Sequence, residues 1–538
     1  MSELNNEQLQ AVNSKSDRIL CLAGAGAGKT KTFIERISKL VDDGIMPSSI
    51  LALTFTNAAA AEMRERYESK HVGQMTPQFR TFHSFCYSIV CRDYAIRSAL
   101  GYDTVPGIAS EAEEKDIKER ARTQCHTTLS VDELQHREFL SKKEMFEAEL
   151  YDKAVWRLMK QENLITFDKL NSEVADLFAA DHLSTHPYKE QYKYIFVDEF
   201  QDTDGHQIKF LNSFPSTHFY FCGDCLQNLY SFRGTSNEYI KALAESDGWE
   251  KIKLYTNYRS TNQIVEYANN FSKGYAKDAY RVEMKGTRDG EPVVTKVAAK
   301  PSNYDAINLD SIDDALEELG KLSGTSAILV RTNKELTEVT HYLKRKDIAF
   351  TSSRDTKTMH LIECAVSDEY MIGWLASYLT SDKYGEYIRL SAQKSSPDIN
   401  WFLTTYGRNT KIAKDAEKIN KLRRIATDPK PVSVKIQEVE TLFKLQGIEV
   451  PKEDLFGTEF LKYIKEHAEE IKSSELYVGT IHSVKGLEYD NVFVMNVNSY
   501  CFKINSSEEM SNLYYVACTR AKNRLFIYKI AFGFSYGD

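Results

Sequence analysis

Short, unbroken apolar runs recur along the chain and alternate with stretches whose apolar residues return every three or four positions. RILCLA (18–23) and ILALTF (50–55) are runs of the first kind. Between them Phe33, Ile34, Ile37, Leu40 and Val41 fall on one helical face, with Gly44 as a stop. NAAAAEMRERYES (57–69) follows as a strong helix former. Strand, helix and strand in this order build a parallel sheet.

From about 96 to 165 the chain becomes rich in Glu, Lys and Arg at helical spacing, and Ser130 with Glu133 forms a capping-box signature. This predicts a helical insertion. Strand candidates return at YKYIFVDE (192–199), HFYFCGD (218–224) and KIKLYTN (251–257). A second α/β region is predicted from SAILVRT (326–332), ELYVGTI (475–481), NVFVMNV (491–497) and RLFIYKI (524–530). The stretch between them is mixed and mostly helical, and its last helix carries Phe460, Leu461, Ile464 and Ile471 on one stripe, read as core. The expected division is a first α/β domain (1–95 with 166–256), a helical insertion (96–165), a second α/β domain (257–335 with 472–538) and a reduced, mostly helical insertion (336–471).

At 538 residues the chain exceeds what one hydrophobic core supports, in keeping with that division. No apolar run approaches the length of a membrane span, and the polar N-terminus lacks a signal core. Nine cysteines in so long a chain are no disulfide scaffold, so free thiols and a cytoplasmic location are expected. The net charge of −8 argues against a broad basic face that coats duplex DNA, but not against a groove of a few basic and aromatic residues.

Chemistry enters with CLAGAGAGKTKT (21–32). A strand, a glycine-rich turn and a helix are the setting of a phosphate-binding loop of the form G-x-x-x-x-G-K-[ST], except that Ala23 stands where the first glycine belongs. The candidate phosphate site is Ala23, Gly24, Ala25, Gly26, Ala27, Gly28, Lys29, Thr30 and Lys31, in which Lys29 neutralises phosphate and Thr30 holds Mg²⁺. A tight turn alone explains neither the lysine nor the threonine at the helix start. VDEFQD (197–202) then places two acids at the tip of a buried strand, the edge where open parallel sheets bind ligands. Asp198 is a second Mg²⁺ candidate and Glu199 the candidate base toward the attacking water. The paired Cys222 and Cys225 have no second pair at zinc spacing and are read as coincidence.

LNNEQLQAV (4–12), AGAGAGKT (23–30), ALTFTNAAAAEMRER (52–66), TFHSFC (81–86), ITFDKL (165–170), VDEFQDTD (197–204), GDCLQNLYSFRGT (223–235), NYRST (257–261), AILVRTN (327–333), TIHSVKGLEYDNVFV (480–494) and LYYVACTRAKNRL (513–525) occur in this order. The series resembles that of the UvrD/Rep/PcrA branch of superfamily 1 DNA helicases, whose members also tend to carry alanine at the position of Ala23. The resemblance implies two RecA-like motor domains, each with a helical insertion, and ATP bound between them with Mg²⁺. It implies that Gln8 reads adenine, Tyr258 stacks on the base and Glu488 contacts the ribose. Gln227 would face the γ-phosphate or its attacking water, and Arg259 and Arg520 would stabilise charge on the transferring phosphoryl group. Thr54, Phe55, Asn57, His83, Tyr230, Phe232 and His482 fall where the family contacts DNA. The implied partners are single-stranded DNA and tailed or forked duplexes, with 3′-to-5′ polarity, and a nuclease or a replication, repair or defence protein.

Two departures qualify the resemblance. Ala58 replaces the lysine usual in the TFTN motif, and the 336–471 insertion is short and unlike the large mobile subdomain of better-known relatives. A trimmed form of this kind suits a phage enzyme or a subunit of an antiphage system. The competing readings are a DNA-end-sensing ATPase subunit that regulates a partner nuclease, and a phosphate-loop kinase or GTPase.

Overall fold

The unbroken apolar runs become parallel strands in two six-stranded sheets. The computed structural model describes residues 4–127, 129–136, 141–229, 235–298, 307–352, 475–498 and 508–530, with parts of 372–420. The first sheet is ordered Gln78–Thr81, Ile50–Thr54, Tyr194–Val197, His218–Gly223, Arg18–Ala23, Glu250–Leu254. The second is ordered Val294–Ala298, Ala521–Ile530, Tyr489–Asn498, Ser326–Val330, Leu476–Thr480, Thr351–Ser352. Every pairing in both is parallel. The expected α/β class with parallel sheets is the one observed.

Central strands read as continuous apolar runs because both of their faces are covered. In the first sheet Leu20, Leu22, Leu51, Leu53, Ile195 and Val197 point to one core, and Ile19, Cys21, Ile50, Ala52, Phe196 and Tyr220 to the other. The second sheet divides likewise: Ala327, Leu329, Val492 and Val494 lie on one face, Ile328, Val330, Phe493 and Met495 on the opposite one. The strands that the apolar pattern does not reveal, Gln78–Thr81, Val294–Ala298 and Thr351–Ser352, lie at sheet edges. Their exposed positions break the apolar run, as the alternating burial of Gln78–Thr81 and Val294–Ala298 shows.

Helices Glu111–Gln124 and Lys142–Gln161 build a separate small core around Ile117, Ala121, Tyr151 and Leu158. The capping box between them forms as expected, with Glu133 N–H donating to Ser130 Oγ and Ser130 N–H to the Glu133 carboxylate. Helix Asn333–Arg345 packs Leu336, Val339 and Leu343 under the second sheet. The Phe460–Ile471 stripe lies outside the described residues.

Parallel strands bring their carboxyl ends to one edge. In the first sheet that edge carries the turn after Ala23, Thr54, Asp198 and Asp224. The strand beneath the carboxylates is anchored by Phe196, whose ring meets Phe33 edge-on at 5.3 Å and Tyr220 at 5.2 Å. Truncation to Phe196→Ala is expected to destabilise the first α/β half by about 3–5 kcal/mol, read as an earlier first transition in urea. An unchanged transition would contradict this packing.

Candidate nucleotide site between the two sheets

Ala23 ends its strand fully buried in the core, so the alanine costs the loop nothing: the turn begins one residue later. Gly26 (φ +67°) and Gly28 (φ +75°) adopt the left-handed conformation that favours glycine. Helix Lys29–Asp42 starts directly after them, so its unpaired N–H groups and positive dipole end face the space above the turn. Thr30 and Lys31 lie in its first turn.

Gln8 sits beside this loop on helix Asn6–Asn13, almost wholly buried. Its Nε2 donates to the Ala27 carbonyl (3.1 Å), and its Oε1 accepts from Asn5 N–H (3.1 Å) in a capping box. Arg36, on the helix that follows the phosphate loop, donates through Nη1 to the carbonyls of Ala11 (2.8 Å), Val12 (3.1 Å) and Ser14 (3.0 Å). The helix that carries Gln8 is thus pinned at both ends. Asn5 Nδ2 also donates to the Tyr258 hydroxyl (2.8 Å), whose ring is half exposed.

Below the loop lie the carboxylates. Lys29 Nζ is 3.6 Å from Glu199 Oε1. Burial alone would depress the ammonium, but Glu199, Asp224 and Asp198 hold its pKa up at about 12. Burial and the adjacent Glu199 push Asp198 up; Lys29 and Lys485 overcome burial and hold Glu199 down. Glu199 adopts φ +51°, a strained value for a non-glycine residue, and Gln201 Nε2 donates to it at 2.5 Å. Asp198 Oδ1 is buried with no hydrogen-bond partner among the described residues. An orphaned carboxylate oxygen at the same sheet edge as the phosphate loop is the kind of donor that suits a hard divalent cation such as Mg²⁺.

Two further cations come from the turn after Thr256–Asn257 and from the turn that opens the strand Ala521–Ile530 of the second sheet. Arg520, 1% exposed, donates from Nη2 to Gln227 Oε1 (3.0 Å) and from Nε to the Val516 carbonyl (3.1 Å). Gln227 in turn donates to Asp224 Oδ2 (2.6 Å). Burial and the neighbouring Arg259 lower the Arg520 pKa to about 9, which leaves the guanidinium charged at neutral pH. Arg259 donates from Nε to Glu488 Oε2 (2.7 Å) and from Nη1 to the Thr519 carbonyl (3.0 Å). Lys522 also pairs with Glu488 (3.0 Å), so two cations hold that carboxyl below its usual range despite partial burial.

The structure gathers Gln8, the phosphate loop, Asp198, Glu199, Gln227, Tyr258, Arg259, Glu488 and Arg520 around one junction of the two sheets. Thr54, Phe55 and His83 line a narrow cavity together with Asp198, Glu199 and Asp202, so the expected DNA-facing residues abut the carboxylates. His83 is set edge-on to Phe167, and burial lowers its pKa, as it does for His482. Asn57 and Ala58 are exposed at the start of helix Asn57–Glu68, where Asn57 Oδ1 accepts from the Thr81 hydroxyl (3.4 Å). Tyr230 and Phe232 lie outside the described residues.

Sequence reasoning passed over several residues that bind this junction together. Lys485 and Asp202 form a buried ion pair between the two sheets. Asn257 links the phosphate loop to the turn bearing Arg259. Lys485, Asp202 and Asn257 lie inside the quoted motifs TIHSVKGLEYDNVFV, VDEFQDTD and NYRST, but only their partners distant in sequence give them a role.

The chain matches the UvrD/REP helicase N-terminal domain over residues 4–247 and the UvrD-like helicase C-terminal domain over 252–370 and 376–531. It is 26% identical to a protein of Mycoplasma capricolum named "Probable DNA helicase II homolog", across 97% of this chain and 84% of the relative. A protein of the same name from Mycoplasma pneumoniae is 25% identical over 98% of this chain and 84% of its own length. The "ATP-dependent DNA helicase PcrA" of Staphylococcus epidermidis is 28% identical over 65% of this chain and 51% of its own length. With both halves matched in order, and the nucleotide residues converging where the two sheets meet, the chain belongs to the UvrD-like family of ATP-dependent DNA helicases.

Proposed function

We propose that this protein is a single-stranded DNA translocase that separates strands in the 3′-to-5′ direction, driven by ATP hydrolysis between its two sheets. The observation that carries the reading is the Arg520–Gln227 bond: a guanidinium from the second half reaches the phosphate-side glutamine of the first. Closure around ATP would bring such groups onto the phosphates, and product release would free them. In this reading residues 1–95 with 166–256 and 257–335 with 472–538 are the motor domains, and 96–165 and 336–471 their insertions.

Within the site, the N–H groups after Gly28 and the Lys29 ammonium hold the phosphates, and Gln8 and Tyr258 hold the adenine. Glu199, kept ionised by Lys29 and Lys485, takes the proton of the attacking water, which Gln227 orients. Arg259 and Arg520 offset charge that grows on the transferring phosphoryl group. Thr30 and Asp198 would hold Mg²⁺, which when bound neutralises phosphate charge. Thr54, Phe55, Asn57, His83, Tyr230, Phe232 and His482 are assigned to the DNA track, where stacking on aromatic rings tolerates any sequence.

A 3′-tailed duplex is expected to be unwound with ATP and a 5′-tailed duplex left intact; the reverse preference would overturn the polarity. Lys29→Ala is expected to lower turnover by about 10²-fold or more, in line with removal of a preorganised charge at developing phosphate charge. Surviving turnover would show the phosphate loop misassigned. Gln8→Ala is expected to raise KM for ATP about tenfold while that for UTP stays unchanged, since only adenine loses its amide partner. Equal loss with both nucleotides would make Gln8 a packing residue.

A further inference from the structure

Asn257 lies on the crossover between the sheets, in the two-residue strand Thr256–Asn257, and is 1% exposed. Its Nδ2 donates to the Ala25 carbonyl of the phosphate loop at 2.7 Å. Its Oδ1 accepts from the backbone N–H groups of Arg259 (2.9 Å) and Ser260 (2.7 Å). One planar amide therefore fastens the loop to the turn that carries Arg259. The adjoining backbone repeats the link, with Tyr258 N–H donating to the Gly26 carbonyl at 3.0 Å. The approach leaves no room for a side chain on the loop: a Cβ on Gly26 would fall 2.7 Å from Arg259 Cβ.

The same turn is moored on its other side. Ser260 Oγ donates to the Ala521 carbonyl (2.6 Å), and Arg259 reaches the Thr519 carbonyl and the Glu488 carboxylate. Arg259 thus stands between two anchored bodies, and Asn257 is its side-chain anchor to the loop. A buried amide that loses its partners is costly, so this geometry is held firmly. We propose that Asn257 is a positioning residue with two separable ends: its Oδ1 shapes the turn that places Arg259, and its Nδ2 steadies the phosphate loop. It touches no substrate atom itself, and its role rests on the reading of Arg259 given above.

The two ends of the amide can be separated. Asn257→Asp keeps the acceptor for Arg259 and Ser260 but sets a carboxylate against the Ala25 carbonyl. It is expected to raise KM for ATP about fivefold while kcat, measured with saturating single-stranded oligonucleotide, stays within about threefold. Asn257→Ala loses both ends and is expected to lower kcat about tenfold as well. In an Arg259→Ala background the further change Asn257→Ala is expected to alter kcat by less than about twofold, because the group it positions is gone. A full tenfold multiplication in that background, or equal kcat losses for the Asp and Ala variants, would overturn the proposal. Should Asn257→Ala not fold, the KM-only effect required of Asn257→Asp decides the matter. If Arg259→Ala alone leaves kcat intact, the reading of Arg259 fails first and the positioning role falls with it.

Discussion

A buried ammonium must be neutralised, and this constraint shapes the whole junction of the two sheets. Moving an ion out of water costs several kcal/mol unless an opposite charge receives it. Lys29 is received by Glu199, with Asp198 and Asp224 close by, and Lys485 by Asp202. Arg259 and Lys522 share Glu488. One of these pairings, Lys485 with Asp202, reaches from one sheet to the other, as does the hydrogen bond from Arg520 to Gln227, so the charge balance of the site is also part of the contact between the halves. A nucleotide brings its own negative charge to the same cations. In the proposed function its arrival would re-sort these pairs, and a re-sorting between the two halves would be motion.

The fold supplies the place for this exchange. Parallel strands put the ends of four chain segments on one edge, and the arginines come from around the second sheet. The N-terminal helix adds a further tie. Glu7 Oε1 accepts from the N–H groups of Tyr255 (3.1 Å) and Thr256 (2.7 Å), so the helix bearing Gln8 also grips the crossover between the sheets. The N-terminal helix, the glycine-rich loop and the crossover between the sheets therefore share one hydrogen-bonded unit through Gln8, Asn257 and Glu7.

Much of this is legible in the sequence, for identifiable reasons. Strands covered on both faces, such as Ile50–Thr54, announce themselves as apolar runs; edge strands such as Gln78–Thr81 do not, because half of their side chains meet water. Lys29 and Glu199 belong to motifs whose residue types carry the chemistry on their own, whereas Gln8, Arg259 and Arg520 are legible only through the resemblance of their motifs to a known family. Ala23 is harmless because it is the buried last residue of its strand, which its burial shows and the motif alone could not. Asn257, Arg36 and Asp202 stayed silent for a different cause. Each acts through a partner far away in sequence, or through a backbone carbonyl, and neither leaves a mark in a local pattern.

The central claim is that hydrolysis at this junction answers to a strand lying on the residues beside its carboxylates. It is tested most directly by ATP turnover measured with and without a single-stranded homopolymer oligonucleotide. The account predicts a saturable rise in kcat on adding the oligonucleotide. Turnover that is the same with and without DNA would contradict it.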